Sequence, residues 1–188
     1  MEEQAFAVAP AAAFAPATVL YDRADPTAAA PFPDDYWIAA DASTPSGWRV
    51  DLPDIPFPEP LQASAFSPLC SCGILPIVIA LSHPLDPSLV PTNPTESQDP
   101  FAAVWLVDVD PASPSFGQRV PYRMLVRTDP RPAAAGGGVE HSAIVFPTID
   151  LREQGRYALV FTRRAFAAGE PGRDFGPAPL FAEVLAGP

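Results

Sequence analysis

The fold is indicated most clearly by residues 103–126, AVWLVDVDPASPSFGQRVPYRMLV. Two apolar runs, residues 103–109 and 119–126, enclose a segment in which Pro111 and Gly117 mark turns. Apolar runs of strand length bounded by proline and glycine are typical of β-strands, and a short turn between two of them is typical of a hairpin. The pattern therefore predicts that these two runs pair as an antiparallel hairpin.

The flanking sequence contains further runs of the same kind. Residues 74–81 are ILPIVIAL, residues 142–146 are SAIVF and residues 156–162 are RYALVFT, while shorter β-like runs occupy residues 18–21 and 48–52. The longer runs recur roughly every 15 to 20 residues, with turn signals between them and no amphipathic helix of useful length. This spacing predicts an all-β fold, and specifically an antiparallel β-sandwich.

Composition excludes several other classes of protein. Proline accounts for 27 of the 188 residues, and a proline inside a helix costs about 3 kcal/mol, so a mostly helical protein is excluded. The 11 basic residues, all arginine, stand against 22 acidic residues and leave a net charge of -11. Nucleic acids and anionic membrane surfaces attract cationic proteins, so neither is an expected partner. No apolar stretch reaches the roughly 18 residues of a membrane span, so no membrane insertion is expected.

Composition also divides the chain into three parts. Residues 1–17 are rich in alanine and proline without periodicity, which predicts a flexible tail. Residues 18–73 are rich in proline and aromatic residues, and we expect them to lie extended over the core. Residues 74–188 are predicted to form the sandwich, with a short helical turn at residues 179–185 and a continuation into a downstream domain. The acidic residues after Met1 do not resemble the basic start of a signal peptide.

The two cysteines, Cys70 and Cys72, are separated by one residue. On an extended chain, Cα atoms two residues apart lie about 6–7 Å from each other with their side chains on the same face, which is unfavourable for a relaxed disulfide. Two sulfurs without a further ligand do not complete a zinc site. Free or buried thiols, a strained local disulfide, and metal or redox chemistry remain open as alternatives.

The sequence contains no recognisable catalytic set. The nucleophile elbow Gly-x-Ser-x-Gly, the zinc motif His-Glu-x-x-His and the phosphate-binding loop are all absent. The three glycines at residues 136–138 precede His141, but they follow three alanines and are typical of a hairpin loop rather than an oxyanion hole. His83 lies in a turn and His141 at the start of a strand, so structural roles are favoured for both. We therefore predict a protein that is not an enzyme in itself and needs no cofactor.

Two groups of residues are weak candidates for binding. Asp108 and Asp110 follow each other on one side of a strand end, where acidic clusters can bind calcium, although solvent-facing acids are the favoured interpretation. Trp37, Trp48 and Trp105 could stack on a sugar or a partner, although packing within the protein is favoured.

The second half of the chain resembles a known family. The motifs that carry the resemblance are, in order, LDPSL at residues 85–89, VWLVDV, SAIVFP, a corner with Leu151, Gly155 and Tyr157, and an FTR strand end. They resemble bacterial Ig-like domains, and more narrowly the N-terminal domain of secreted bacterial lipases of the virulence-factor type. The resemblance covers residues 18–188, although the phrase at residues 65–73 departs from the glycine-led phrase usual in the family. It implies an Ig-like sandwich.

The motifs have a physical interpretation. In LDPSL, the Asp86 carboxylate can accept backbone N–H groups two or three residues further on and close a turn, while Leu85 and Leu89 would fill the end of the sandwich. At the corner, Gly155 would adopt a positive φ, and Tyr157 would hydrogen-bond back to the backbone as in the tyrosine corner of Ig-type sandwiches.

The resemblance implies an accessory function. It implies a non-catalytic domain of an extracytoplasmic lipase or esterase-like hydrolase that is secreted, periplasmic or at the cell surface. Its expected partner is a downstream α/β-hydrolase domain of the same polypeptide, and its expected docking residues are Leu180, Phe181, Val184 and Leu185. The alternatives are a free-standing cell-surface binding or adhesion module and, third, a small esterase.

Overall fold

A computed structural model describes residues 17–21, 38–44, 47–51, 76–130, 138–152, 155–170 and 173–177. The fold of this part is all-β. Its strands are β1 (Ala17–Thr18), β2 (Ile38–Ala40), β3 (Trp48–Val50), β4 (Ile77–Leu81), β5 (Val104–Asp108), β6 (Tyr122–Pro130), β7 (Val139–Pro147), β8 (Tyr157–Phe161) and β9 (Phe175–Gly176). The helical segments that the structure describes are short: a 3₁₀ turn at Pro87–Leu89 and α1 at Pro94–Ser97.

The largest sheet has three antiparallel strands in the order β4-β7-β6. β7 is central and pairs with both neighbours, with Ala143 opposite Ile79 on one side and opposite Val126 on the other. Along β6, buried Tyr122 and Met124 alternate with exposed Arg123. This period of two places one face of the sheet against the core and leaves the other accessible.

A second sheet is formed by β5 and β8, which are also antiparallel. Residues 118–120 extend it on the far side of β5, where the N–H of Val120 bonds to the Leu106 carbonyl at 2.8 Å. The predicted pairing of residues 103–109 with 119–126 is therefore wrong beyond Val120. Pro121 has no N–H to donate, and after it the chain leaves β5 and joins β7 as β6.

The N-terminal strand joins the three-stranded sheet to the last strand. Val19 forms a bridge with Leu81 of β4, and Ala17 pairs in parallel with Phe175 of β9. The hydroxyl of Ser82 strengthens this join, because it accepts the N–H of Thr18 at 2.8 Å. The contacts extend the hydrogen-bonded ladder of the first sheet towards the C-terminal end of the described chain.

Both sheets contribute to one hydrophobic core. The buried members are Ala17, Ile79, Leu81, Leu85, Ala103, Val104, Leu106, Val120, Tyr122, Met124, Ala143, Val145, Ala165, Ala167 and Phe175. Tyr157, Leu159 and Phe161 of β8 pack against this core from one face of their strand, as their alternation predicts. The shared core fixes the two sheets relative to each other and positions the loop after β5 and the loop before β8.

Several predicted features lie outside the described residues. They are residues 1–16 of the predicted tail, most of the segment up to Cys70 and Cys72, and the C-terminal turn with Leu180, Phe181, Val184 and Leu185. The prediction of a flexible tail is wrong at its last residue, Ala17, because this residue is buried and pairs with Phe175. Within the described ranges, β4 begins only after Pro76, because a proline cannot donate to the ladder. None of the helices in those ranges has the length and apolar character needed to span a membrane.

Candidate functional site

The most elaborate polar cluster lies at the end of β5, around Asp108. The residue is only 2% exposed. Its carboxylate accepts hydrogen bonds from the hydroxyl of Ser113 at 2.5 Å, the hydroxyl of Ser115 at 2.8 Å and the N–H of Asp110 at 3.0 Å. The Ser113 hydroxyl contributes most to lowering the pKa of Asp108 below its usual value, and Arg152 nearby adds to the effect. The loop after β5 is thus folded around a buried carboxylate.

Asp110 belongs to the same cluster and is 9% exposed. One carboxylate oxygen accepts the N–H of Ala112 at 2.9 Å, and the other accepts a hydrogen bond from the Arg152 guanidinium. The guanidinium therefore ties the loop after β5 to the loop before β8.

The interpretation of Asp108 and Asp110 as solvent-facing acids is wrong. The loop after β5 supplies hydrogen-bond donors to both carboxylates, and both residues are buried. Calcium takes six to eight oxygen ligands, whereas these carboxylate oxygens already accept internal hydrogen bonds. In the ranges that the structure describes, no three His, Cys, Asp or Glu residues cluster as a metal site. The cluster fits a structural role.

The corner before β8 contains the predicted tyrosine hydrogen bond. The hydroxyl of Tyr157 accepts the backbone N–H of Arg152 at 2.9 Å. The predicted positive φ of Gly155 is wrong, since the glycines with positive φ in the described part are Gly47, Gly117, Gly138 and Gly169.

Gly155 is required at the corner for a steric reason. A Cβ at this position would lie 2.9 Å from the Arg152 carbonyl oxygen and 2.9 Å from the Tyr157 ring. Close packing against the tyrosine, rather than an unusual backbone conformation, thus accounts for a residue without a side chain.

The LDPSL motif forms the predicted turn. Asp86 accepts the N–H of Ser88 at 2.8 Å and its hydroxyl at 2.7 Å, and these bonds hold the pKa of Asp86 below its usual value. Leu85 is buried in the core, whereas Leu89 packs against it and is partly exposed. The two leucines therefore contribute unequally to filling the end of the core.

Both histidines are hydrogen-bonded to neighbouring hydroxyl groups. His83 Nδ1 lies 2.8 Å from the Ser82 hydroxyl, which already accepts the N–H of Thr18. His141 lies within β7, and its Nδ1 is 2.9 Å from the hydroxyl of Thr128 on β6. In both cases the partner hydroxyl lies on or beside a paired strand, which fits a structural role.

Ser97 and Tyr122 are buried polar residues that the sequence analysis did not single out. The Ser97 hydroxyl donates to the Pro94 carbonyl at 2.7 Å and accepts the N–H of Tyr122 at 3.0 Å. The Tyr122 hydroxyl donates to the Val104 carbonyl at 2.5 Å, and burial raises the pKa of this phenol. The Asn-Pro start of α1 is the only local signal, because an Asn N-cap before proline marks a helix start.

The outer face of the β5–β8 sheet combines aromatic rings with arginine. Arg119 lies over the Trp105 ring, 5.1 Å from its centroid, and its guanidinium donates to the carbonyls of Gln98 and Asp99. Arg164 lies 4.4 Å from the centroid of Phe101, which is 64% exposed.

The remaining tryptophans have different settings. Trp48 lies on β3 and is 53% exposed, and Trp37 lies outside the described residues. The Nε1 of Trp105 is buried without a hydrogen-bond partner in the described structure. Trp105 therefore serves as part of a packed surface beneath Arg119 rather than as a free stacking platform.

Comparison with known proteins adds no relative from which a role could be transferred. No protein-family model, no curated protein and no solved structure matches this chain.

Proposed function

We propose that this chain is a non-catalytic accessory module with an Ig-like β-sandwich fold. Two observations support the Ig-like assignment: the two sheets share one core, and Tyr157 makes a corner hydrogen bond to the backbone of Arg152. The crossing of the chain from one sheet to the other at Pro121 is also typical of sandwich topologies.

The observation that supports a binding role best is the outer face of the β5–β8 sheet. Val160 is 40% exposed beside Trp105, and Phe101 is highly exposed beneath Arg164. Exposed aromatic residues combined with arginine are enriched in protein interfaces. By contrast, the polar groups around Asp108 bond to one another and stabilise the loops.

We further propose that the partner is an α/β-hydrolase domain of the same polypeptide and that the protein is extracytoplasmic. This assignment relies on the resemblance of residues 18–188 to N-terminal domains of secreted lipases. The docking role of Leu180, Phe181, Val184 and Leu185 remains part of this proposal.

The proposal is tested by reading the coding sequence downstream of Pro188. Binding between this chain and any hydrolase domain encoded there is then measured. We expect the reading frame to continue into an α/β-hydrolase, and the separately purified hydrolase domain to bind this chain. A variant of this chain with both Phe101→Ser and Val160→Ser should bind the hydrolase domain more weakly than the unsubstituted chain does. A frame that ends without a hydrolase, or a hydrolase domain that does not bind, would contradict the accessory role.

The alternative is a free-standing cell-surface binding or adhesion module, which the same exposed face supports. It predicts that the purified chain binds a protein at the cell surface with no hydrolase encoded beside it. A third possibility, a small esterase, predicts that the purified chain itself hydrolyses a short-chain ester.

A further inference from the structure

The molecule protects the beginning and the end of the β6 edge and leaves the β8 edge open. On the free side of β6, the N–H of Tyr122 bonds to Ser97 at 3.0 Å and the N–H of Met124 bonds to the Pro91 carbonyl at 2.7 Å. Pro130 ends the strand and has no N–H to offer. Covering an edge and placing proline on it are devices that prevent a sheet from pairing with another chain.

The free side of β8 has no such protection. The N–H of Thr162 bonds to the Ala103 carbonyl at 2.8 Å, and the N–H of Val109 bonds to the Arg156 carbonyl at 2.9 Å. In an antiparallel ladder, residues alternate between those that bond to the partner strand and those that do not. Because Arg156 and Thr162 bond to the residues that flank β5, the odd-numbered residues of β8 direct their main-chain N–H and C=O groups away from β5. These residues are Tyr157, Leu159 and Phe161.

Those outward main-chain groups make no hydrogen bond within the ranges that the structure describes. The strand itself, YALVF, contains neither proline nor a charged residue. Leu159 and Phe161 pack against the core, and Val160 is exposed on the outer face. An added strand would therefore find open hydrogen-bonding groups with apolar side chains on both sides of the sheet.

Arginines flank this edge at both ends. Arg156 precedes β8, and Arg163 and Arg164 follow it, all three exposed. Among the described residues, none of these three has a carboxylate within ion-pair distance; the described ion pairs use other arginines. Each end of the open edge therefore carries an exposed arginine without a described ion pair, although the chain as a whole has a net charge of -11.

The charge pattern disfavours a second copy of this chain as the occupant. An antiparallel β8–β8 pair would bring the end of one strand that carries Arg156 to the end of the other that carries Arg163 and Arg164, and a parallel pair would align like residues. Like charges opposite each other destabilise a strand pair. Acidic residues at the ends of an incoming strand would instead pair with these arginines.

We propose that the β8 edge binds an extended segment of another polypeptide by β-strand addition. The segment would carry apolar side chains in its centre and acidic residues at its ends. The proposal deepens the binding role proposed above and does not depend on whether the partner is a hydrolase. A downstream frame without a hydrolase would overturn the accessory role and leave this site intact.

The first experiment measures amide hydrogen exchange of the full chain by NMR. We expect the N–H groups of Leu159 and Phe161 to exchange at least about tenfold faster than those of Ala158 and Val160, which bond to β5. Equal protection at every protein concentration would show that the edge is already covered within the chain. Protection that rises with protein concentration would show a second copy. Either result overturns the proposal.

The second experiment adds a synthetic peptide, DEVTVTVED, at about 1 mM, a concentration suited to weak binding. We expect it to slow exchange at Leu159 and Phe161. A peptide with lysine at the four acidic positions should bind about tenfold more weakly, even though its positive charge is opposite in sign to the net charge of the chain. N-methylation at one alternating set of peptide residues should abolish binding, while the other set should be tolerated.

Charge reversal on the protein completes the test. Arg163→Glu with Arg164→Glu should weaken binding of the acidic peptide about tenfold. The double variant Arg123→Glu with Arg127→Glu is the matched control, because it makes the same change in charge at two exposed positions of β6; it should leave binding unchanged. No protection by the peptide, equal binding of the lysine peptide, or equal effects of the two protein variants would each overturn the proposal.

Discussion

Tyr122 carries its phenol into the core, where the hydroxyl donates to the buried Val104 carbonyl at 2.5 Å. Removing the hydroxyl leaves that carbonyl without its partner in a dry environment. Tyr122→Phe should therefore lower the free energy of unfolding by about 1–3 kcal/mol, measured by urea titration.

Tyr157 provides the matched comparison at the residue scale. Its hydroxyl accepts the N–H of Arg152, an exposed residue whose backbone can bond to water once the hydroxyl is lost. Tyr157→Phe should therefore cost less than Tyr122→Phe, about 0.5–1.5 kcal/mol. A larger loss for Tyr157→Phe than for Tyr122→Phe would contradict the burial of the two hydroxyl groups as described.

Asp108 predicts a pH dependence of stability. The hydrogen bond from the Ser113 hydroxyl, with further donors, lowers the pKa of Asp108 in the folded chain below its unfolded value of about 4. The carboxylate network therefore stabilises the fold above about pH 4, and this contribution is lost as the pH falls through the lowered folded pKa. Asp108→Asn should melt at a lower temperature than the native chain near neutral pH, and this difference should narrow in acid.

Thermal unfolding followed by circular dichroism from about pH 2 to pH 7 measures this difference. The control is Asp150→Asn, which changes an exposed carboxylate and should leave the melting temperature close to that of the native chain. A difference in melting temperature between Asp108→Asn and the native chain that stays constant across this pH range would contradict a stabilising role for the ionised Asp108 carboxylate.

At the scale of the element, the turn at residues 85–89 separates two leucines by burial. Leu85 is 1% exposed within the core, and Leu89 lies at its margin. Leu85→Ala should cost about 2–5 kcal/mol, because it leaves a cavity among close-packed side chains. Leu89→Ala removes the same atoms from a partly exposed site and should cost clearly less in the same urea titration. Equal losses in the free energy of unfolding would contradict the difference in burial, because they would show that both leucines are core residues.

The strands themselves were largely predictable, whereas their partners were not. β5 and β8 lie within the predicted runs because apolar residues bounded by turn signals have few alternatives to a strand. The pairing of β6 with β7 was missed, because the turn at Pro111 and Gly117 predicts a reversal of the chain but not the sheet that it enters. That choice depends on long-range packing around Tyr122 and Met124.

The polar sites show the same division between local and long-range information. The Asp86 turn is local, since donor and acceptor are two residues apart, and the sequence predicts it. The burial of Asp108 depends on Ser113, Ser115 and the approach of Arg152, and a linear pattern does not reveal that convergence.

At the scale of the whole molecule, the described part is composed of strands with only short helical turns. A far-UV circular dichroism spectrum of the purified chain should therefore show the single minimum typical of β-structure. The paired minima of α-helix as the dominant feature would contradict the all-β fold. The measurement needs no variant, because the prediction concerns the backbone alone.

We propose that this molecule acts by binding a partner and does not itself catalyse hydrolysis. The most direct test is the hydrolysis of a chromogenic short-chain ester by the purified chain, with His83→Ala and His141→Ala variants measured alongside. The chain and both variants are expected to give the same rate as a buffer blank. A reproducible esterase activity that either histidine substitution abolishes would contradict a non-catalytic role and favour a small esterase.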